Sequence, residues 1–205
     1  MSVFVKICGV TSVEDARACV TAGADAIGFN LWPRSKRFRP LAEIARIAAT
    51  VKGEIERFGV FVDPTGEELE AAFASGAIDT AQLHGDEDPS LCERFAGRVV
   101  KALRLAGDWS LDEMHKFPCE RFLVDAPFAG YGGSGLLVDE RLAKLAVERS
   151  ARVILAGGLA PENVKGLVER VKPWGVDVAT GVETSPGVKD IDKVRRFVAA
   201  ARGDA

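Results

Sequence analysis

Two side chains of this sequence could supply the acid and the base of a reaction, since each ends a short run of strand-forming residues. Cys8 ends the run that begins at Val3, and Asp125 directly follows the apolar run 122–124. A thiol with a lowered pKa acts as a nucleophile or general base, and a carboxyl group in a partly dry pocket acts as a general acid. A buried structural cysteine is an equal alternative for Cys8. Asp125 could instead anchor the loop behind it, but we favour catalysis because that glycine-rich loop is long enough to form a lid.

Two glycine-containing turns indicate a phosphate site. Gly157-Gly158 and Thr180-Gly181 follow the seventh and eighth strand-like runs of the chain. Glycine allows the backbone to approach an anion closely, and barrel enzymes commonly bind phosphate at the loops that follow their last two strands. The substrate is therefore predicted to be a phosphorylated small molecule.

A cluster of cations follows the second strand-like run and comprises Arg34, Lys36, Arg37 and Arg39. Such a cluster is usually a solvated loop, and contact with nucleic-acid phosphates is a second interpretation. One arginine that binds a substrate carboxylate is an equally good interpretation for a loop beside an active site. His84 follows the fourth run, where it could either contact the substrate or pack the loop.

The segment 130–135 reads Gly-Tyr-Gly-Gly-Ser-Gly and matches the pattern G-x-G-x-x-G. A dinucleotide site needs these glycines at the end of its first strand, with an acidic residue closing the second strand. Here several residues separate the glycines from the preceding run, which is the sixth. We therefore predict a flexible lid rather than a nucleotide site.

Eight strand-like runs are expected to position these side chains. The runs alternate with helical segments at intervals of ~20–30 residues. The runs are 3–8, 26–29, 58–62, 80–83, 99–102, 122–124, 152–156 and 176–179. Strict alternation gives parallel strands joined by right-handed crossovers. An open doubly wound sheet would also fit, but eight units without a second domain favour an α/β fold, a single-domain (βα)8 TIM barrel over residues 1–205. Lys6 and Cys8 are two residues apart, so they point to the same side of their strand.

Several residues mark where helices begin and end. The patterns Thr11-x-x-Glu14, Thr65-x-x-Glu68 and Ser110-x-x-Glu113 predict capping boxes. Gly23 is predicted to end the first helix in a left-handed conformation, and Pro161 to open the seventh. Further helices are expected at 41–51, 88–97, 139–148 and 190–202.

The composition restricts the classes of function. The chain has 205 residues, of which 47% are hydrophobic, so it is globular rather than disordered. A net charge of −3 argues against a nucleic-acid binder, and no uncharged apolar run reaches the ~18 residues of a membrane span. The amino terminus lacks the features of a signal peptide, so we expect a cytoplasmic protein. The 4 scattered cysteines and 2 histidines predict neither disulfides nor a metal site, and we expect no cofactor.

The residues 5–11, Val-Lys-Ile-Cys-Gly-Val-Thr, resemble the opening motif of the phosphoribosylanthranilate isomerases of tryptophan biosynthesis. The resemblance extends over essentially the whole chain, through 24–29, 35–38, 59–62, 82–85, 125, 131–135, 157–164, 177 and 186–190. It implies a cofactor-free Amadori rearrangement of N-(5-phosphoribosyl)anthranilate to 1-(2-carboxyphenylamino)-1-deoxyribulose 5-phosphate.

The resemblance also implies a role for each candidate residue. Asp125 would protonate the ribose ring oxygen and open the ring to a Schiff base, and Cys8, as a thiolate, would remove the C2 proton. Arg37 would hold the anthranilate carboxylate, the two glycine turns would bind the phosphate, and Asp177 could contact ribose hydroxyls. The sequence departs from the family after the glycine-rich loop, where Val138-Asp139-Glu140 replaces Phe-Asp-Trp.

Two alternatives remain at the level of the sequence. A related histidine-pathway isomerase would use a carboxylate pair, and Cys8 stands where an aspartate would be expected. A non-catalytic barrel that binds a phosphorylated ligand would need neither Cys8 nor Asp125. The only partner expected is a small phosphoribosyl substrate, without nucleic acid or membrane, and the chain is expected to be a monomer or a homodimer.

Overall fold

The computed structural model describes residues 2–126, 137–150 and 152–204. Its eight parallel strands form a closed barrel in chain order, in which β8 pairs with β1. The strands are β1 (Phe4–Cys8), β2 (Ala26–Asn30), β3 (Glu56–Phe61), β4 (Thr80–Leu83), β5 (Val99–Arg104), β6 (Arg121–Asp125), β7 (Val153–Leu155) and β8 (Gly175–Val178). The predicted α/β barrel is confirmed, and each strand lies within two residues of its predicted bounds.

A helix follows each strand in the described part of the chain. The helices are α1 (Val13–Thr21), α2 (Leu41–Ala49), α3 (Gly66–Ala74), α4 (Pro89–Arg94), α5 (Asp108–Asp112), α6 (Glu140–Arg149), α7 (Val164–Val171) and α8 (Ile191–Arg202). Between β8 and α8 the chain forms a short 3-10 helix, Thr180–Val182, and a hairpin of β9 (Glu183–Ser185) and β10 (Val188–Lys189). Over the residues that the structure describes, none of these helices combines the length and the apolar character needed to cross a membrane.

Two apolar layers hold the barrel together. The larger layer lies between the strands and the surrounding helices, where Ile7, Phe29 and Leu83 are wholly buried. A smaller cluster fills the barrel interior and contains Ala26, Phe58, Val100, Ala102, Leu123, Ile154 and Ala156. Interior positions nearer the carboxyl ends of the strands carry polar groups instead, among them Lys6 and Gln82. The interior is therefore apolar at one end and polar at the end that faces the loops.

The structure corrects two of the predicted capping boxes. Helix α1 is capped by Ser12, which accepts a hydrogen bond from the backbone of Asp15 at 3.1 Å. The hydroxyl of Thr11 donates instead to the carbonyl oxygen of Gly187. Ser110 lies inside α5, and its hydroxyl donates back to the carbonyl oxygen of Gly107. In both cases a nearer or buried acceptor competes with the helix amide for the hydroxyl group.

Three other helix signals have mixed outcomes. The capping box of Thr65 and Glu68 is confirmed, with reciprocal hydrogen bonds of 3.1 and 2.8 Å. Gly23 follows α1 with a φ of 80°, as predicted. Pro161 does not open α7, which begins at Val164 after a turn. The predicted lid at 130–135 lies outside the described residues.

Candidate active site

All of the site residues predicted from the sequence line one cavity at the carboxyl end of the barrel. These residues are Cys8, Arg37, His84, Asp125, Gly157, Gly158, Asp177, Thr180 and Gly181, and the cavity has a volume of about 280 Å³. A larger cavity of about 800 Å³ is lined by residues of β5 and α5, such as Lys101 and Trp109. None of the predicted site residues lines it, so the smaller cavity inside the barrel mouth is the candidate active site.

Cys8 occupies the last position of β1 and is only partly buried, because it lines the cavity. Burial raises the pKa of its thiol above the ordinary value, and the charges of Lys6 and Lys189 counteract this effect. The carboxylate of Asp177 raises the pKa of the thiol further. The thiol of Cys8 is therefore protonated at neutral pH, whereas a general base would need the thiolate.

Asp125 ends β6 and projects into the same cavity. Burial raises the pKa of its carboxyl group to about 6, and the charge of Asp177 adds to the increase. The backbone amide of Ala126 donates to Oδ1 at 2.8 Å, which moderates the shift, as do Arg104 and Lys6. A carboxyl group with such a pKa is partly protonated near neutral pH and can donate a proton.

His84 is buried with its Nε2 atom 3.7 Å from Oδ2 of Asp125. Burial lowers the pKa of the imidazole to about 3, helped by the charges of Lys101, Arg104 and Lys6, so the ring is neutral. The side-chain amide nitrogen of Gln82 lies 3.2 Å from Nδ1. With the amide in this orientation Nδ1 accepts, and the ring proton lies on Nε2 and faces Asp125.

Arg37 reaches across the cavity mouth to the hairpin after β8. Its Nε and Nη2 atoms donate to the two carboxylate oxygens of Glu183 at 2.8 and 2.6 Å. Nη2 also lies 3.2 Å from the hydroxyl oxygen of Thr180. Of the other cations in the cluster, Arg34 and Lys36 are exposed. The structure thus separates one arginine that lines the cavity from neighbours that solvent surrounds.

The two glycine turns are in direct contact. Gly157 and Gly158 adopt φ values of 91° and 63°, which disfavour other residues. A Cβ on Gly157 would lie 2.8 Å from Oδ1 of Asp125, and one on Gly181 would overlap the carbonyl oxygen of Leu159. The absence of side chains at these positions keeps backbone accessible beside the acid.

A family model described as N-(5'-phosphoribosyl)anthranilate (PRA) isomerase matches residues 5–200. The isomerase of Magnetococcus marinus is 41% identical over 203 residues, which cover 98% of this chain and 96% of the relative. That of Rubrobacter xylanophilus is 42% identical, covering 97% of this chain and 98% of the relative. The chain belongs to the N-(5'-phosphoribosyl)anthranilate isomerase family.

Solved structures of family members have the same fold. The Thermotoga maritima isomerase superposes with a TM-score of 0.90 at 37% identity, covering 98% of this chain and 99% of that one. The Thermus thermophilus isomerase gives a TM-score of 0.89 at 35% identity, covering 98% and 100%. A further family structure holds reduced 1-(o-carboxyphenylamino)-1-deoxyribulose 5-phosphate and gives a TM-score of 0.86 at 34% identity, covering 98% and 99%.

The departure from the family pattern after the glycine-rich loop has a local explanation. Val138 is buried in the outer core, and the carboxylate of Asp139 caps α6 by accepting from the amide of Leu142 at 3.0 Å. Glu140 pairs with Arg170 at 2.9 Å. These residues start α6 and dock it on α7, and none of them lines the cavity.

The residues around the site that were not predicted to take part in it include Lys6, Gln82, Asn163, Glu183 and Lys189. Two carried a usable signal, because Lys6 precedes Cys8 and Gln82 precedes His84 by two positions, and alternate strand residues share a face. Asn163 donates to the carbonyl oxygen of Gly158 at 2.9 Å and so holds the phosphate-loop candidate. Glu183 and Lys189 gave no local signal, since the carboxylate of Glu183 pairs with an arginine 146 positions away.

Proposed function

We propose that this chain converts N-(5'-phosphoribosyl)anthranilate to 1-(2-carboxyphenylamino)-1-deoxyribulose 5-phosphate, the Amadori rearrangement of tryptophan biosynthesis. The observation that carries this proposal is the joint position of Cys8 and Asp125 in one cavity beside two glycine turns. Membership of the family supports it, as does the reduced product bound by a relative.

Asp125 acts as the general acid in this proposal. In its protonated form it donates to the ribose ring oxygen, the C1–O bond breaks, and the open-chain Schiff base forms. Its pKa of about 6 leaves a usable protonated fraction at neutral pH. The neutral imidazole of His84, whose Nε2 faces the same carboxyl group, helps to hold that group in place.

Cys8 acts as the general base. The thiolate removes the proton from C2 of the Schiff base, the electrons shift to give an enolamine, and tautomerisation yields the ketone. Over the two steps Asp125 loses one proton and Cys8 gains one, so the pair carries one proton before ring opening and after removal of the C2 proton, and none while the Schiff base is present. The reactive arrangement starts with the proton on Asp125, whereas the raised pKa of Cys8 favours the thiol.

Binding groups surround this acid–base pair. Arg37 binds the anthranilate carboxylate, for which its planar guanidinium is suited, and it exchanges its contact with Glu183 in doing so. The backbone at Gly157-Gly158 and Thr180-Gly181 receives the phosphate. Asp177 and His84 contact the ribose hydroxyls in this proposal, because both line the same cavity.

The test is a fluorescence assay that follows consumption of N-(5'-phosphoribosyl)anthranilate by the purified chain. We expect Cys8→Ser to lower kcat by about 10²–10⁴-fold, the usual contribution of a general base, while the reduced product still binds. Cys119→Ser is the matched control, since Cys119 is also half-buried but lies outside the cavity. Full turnover by Cys8→Ser would refute the mechanism, and activity only on the histidine-pathway substrate would refute the substrate.

Two coarser expectations accompany the function. The oligomeric state is expected to be a monomer or a homodimer, and one Thermotoga maritima relative is described as dimeric. Light scattering coupled to size exclusion distinguishes the two. A cytoplasmic location fits a biosynthetic enzyme of this family and is checked by fractionation.

A further inference from the structure

Lys6 is a wholly buried cation inside the barrel. Its ammonium nitrogen lies 2.8 Å from Oδ1 of Asp177. The two residues lie opposite each other where β1 pairs with β8 and closes the barrel. The ring of Phe58 lies below it, with the ring centre 5.3 Å from Nζ. Burying a lysine and an aspartate together costs free energy that an apolar pair of similar volume would not. Stability of the fold therefore does not account for the charged pair of Lys6 and Asp177.

The position of Lys6 relative to Cys8 is fixed by the strand and by one glycine. Both residues face the barrel interior from β1, where Gly28 of β2 pairs with Cys8. Sγ of Cys8 and Nζ of Lys6 lie 2.9 and 3.1 Å from the point at which a Cβ of Gly28 would stand. The missing side chain of Gly28 thus gives the thiol and the ammonium a shared space.

The charges that face Cys8 come from four elements. Lys6 lies on β1 and Asp177 on β8, while Lys189 of β10 donates to the carbonyl oxygen of Cys8. Arg37 faces the thiol from the loop after β2 and is itself held by Glu183. Lys189 is likewise held by Glu183, at 2.9 Å, and its charge also acts on the thiol, whereas Lys6 and Asp177 form an ion pair of which both charges act on the thiol.

We propose that Lys6 is a positioning residue whose ammonium group stabilises the thiolate of Cys8, and that the carboxylate of Asp177 limits this stabilisation. This inference rests on the proposed role of Cys8 as the general base. It assigns Asp177 an electrostatic task in addition to any contact with the substrate. It also explains why a charged pair, rather than an apolar one, closes the barrel between β1 and β8.

The two partners have opposite effects on the thiol, and this is the property that can be tested. Removing the cation by Lys6→Met leaves the carboxylate of Asp177 to disfavour the thiolate, so the pKa of Cys8 rises. Asp177→Asn removes the carboxylate and leaves the ammonium facing Cys8, so the pKa of the thiol falls. A pair that only supported the fold would expose Cys8 when either partner was lost, and both variants would change reactivity in the same direction.

The experiment measures the rate of alkylation of Cys8 by iodoacetamide between pH 6 and 11, followed at the Cys8 peptide by mass spectrometry. We expect Lys6→Met to move the midpoint upward by about one pH unit or more, as for loss of an opposite charge nearby, and Asp177→Asn to move it downward. Lys101→Met is the matched control, because Lys101 is another buried strand lysine with a buried carboxylate partner, Glu87 at 2.6 Å. Its midpoint should equal that of the unaltered chain.

If Lys6→Met does not fold, the double variant Lys6→Met/Asp177→Asn removes both charges and leaves none unpaired. Its midpoint should lie between those expected for the single variants. An unmoved midpoint in Lys6→Met, or shifts of the same sign in both single variants, would overturn the inference. These outcomes are independent of turnover: loss of activity in Cys8→Ser without a midpoint shift in Lys6→Met refutes only the role of Lys6, and full activity in Cys8→Ser refutes only the role of Cys8.

Discussion

At the scale of single residues, Asp125 and Cys8, the proposed acid and base, share one proton that lies mostly on the thiol. The pKa of Asp125 is about 6, whereas burial holds the pKa of Cys8 above its ordinary value. Between these two values the pair carries one proton, mostly on the thiol. The reactive form, with the proton on Asp125, is a minor arrangement of the same charge state and therefore follows the same dependence on pH.

This sharing predicts a bell-shaped profile of kcat/KM against pH. Activity should fall below about pH 6, where both groups are protonated, and again at alkaline pH, where the thiol of Cys8 ionises after Asp125 has already lost its proton. Steady-state kinetics across this range checks it, and the pH dependence of Ki for the reduced product corrects for ionisation of the substrate phosphate. Activity that kept rising below pH 5 would contradict the assignment of Asp125.

Glu183 and Glu140 allow the contributions of buried and exposed ion pairs to the free energy of unfolding to be compared. Its side chain is only 3% exposed and serves both Arg37 and the buried Lys189, so Glu183→Gln should lower the free energy of unfolding by about 3–5 kcal/mol. Glu140 also serves two cations, Lys144 and Arg170, but is 33% exposed. Glu140→Gln should therefore cost far less, because solvent screens its ion pairs. Urea denaturation at pH 7 compares the two, and equal losses would show that burial is not the determining factor.

At the scale of elements, the alternation of strand-like and helical segments in the sequence was enough to predict the barrel but not the first residue of every helix. Strands have few alternatives when an apolar run lies between two helices, which is why all eight were found. A capping pattern such as that at Thr11 is local, whereas its hydroxyl finds an acceptor 176 positions away. Thr65 sits on the surface without such a competitor and caps as predicted.

The same distinction separates the predictable part of the site from the rest. Cys8 and Asp125 could be found because they end strands, and strand ends gather at one face of a barrel. The ion pair of Lys6 joins residues 171 positions apart, and it exists only because the first and last strands meet. Burial effects, such as the raised pKa of Cys8, likewise depend on packing around the site and not on the motif itself.

Because Gly181 lies against Leu159, directly after the Gly157-Gly158 turn, we expect a side chain at position 181 to weaken phosphate binding. Gly181→Ala places a methyl group on the carbonyl oxygen of Leu159, a backbone atom that cannot move aside. We expect KM to rise about tenfold, as for the loss of one hydrogen bond to a charged group. Inhibition by inorganic phosphate should weaken in parallel, since the substituted turn is part of the proposed phosphate site.

Gly166→Ala is the control for this substitution. A methyl group there meets only the flexible end of Arg170 within α7, and alanine favours the helix by about 0.5–1 kcal/mol. We expect unchanged KM and slightly higher stability. Unchanged phosphate inhibition in Gly181→Ala would remove this turn from the phosphate site.

At the scale of the whole molecule, the residues that stabilise the barrel interior and the residues proposed to carry the reaction lie in different parts of the barrel. The interior cluster around Phe58, Leu123 and Ile154 is apolar and buried, while the polar groups gather in the cavity at the carboxyl ends of the strands. Substitutions at cluster positions away from the cavity, such as Leu123 and Ile154, should therefore change the free energy of unfolding without changing the geometry of Asp125 and Cys8.

Ile154→Ala tests this division, because Ile154 is wholly buried in the interior cluster and does not line the cavity. We expect it to lower the free energy of unfolding by about 2–5 kcal/mol, the usual cost of such a cavity. Below the unfolding transition kcat and KM should match those of the unaltered chain. Arg37→Ala should instead raise KM, and it should also lower the free energy of unfolding, because it removes one of the two cations that hold the buried carboxylate of Glu183. A loss of kcat in Ile154→Ala that persisted where the protein is fully folded, as judged by circular dichroism, would mean that packing inside the barrel also sets the positions of Cys8 and Asp125.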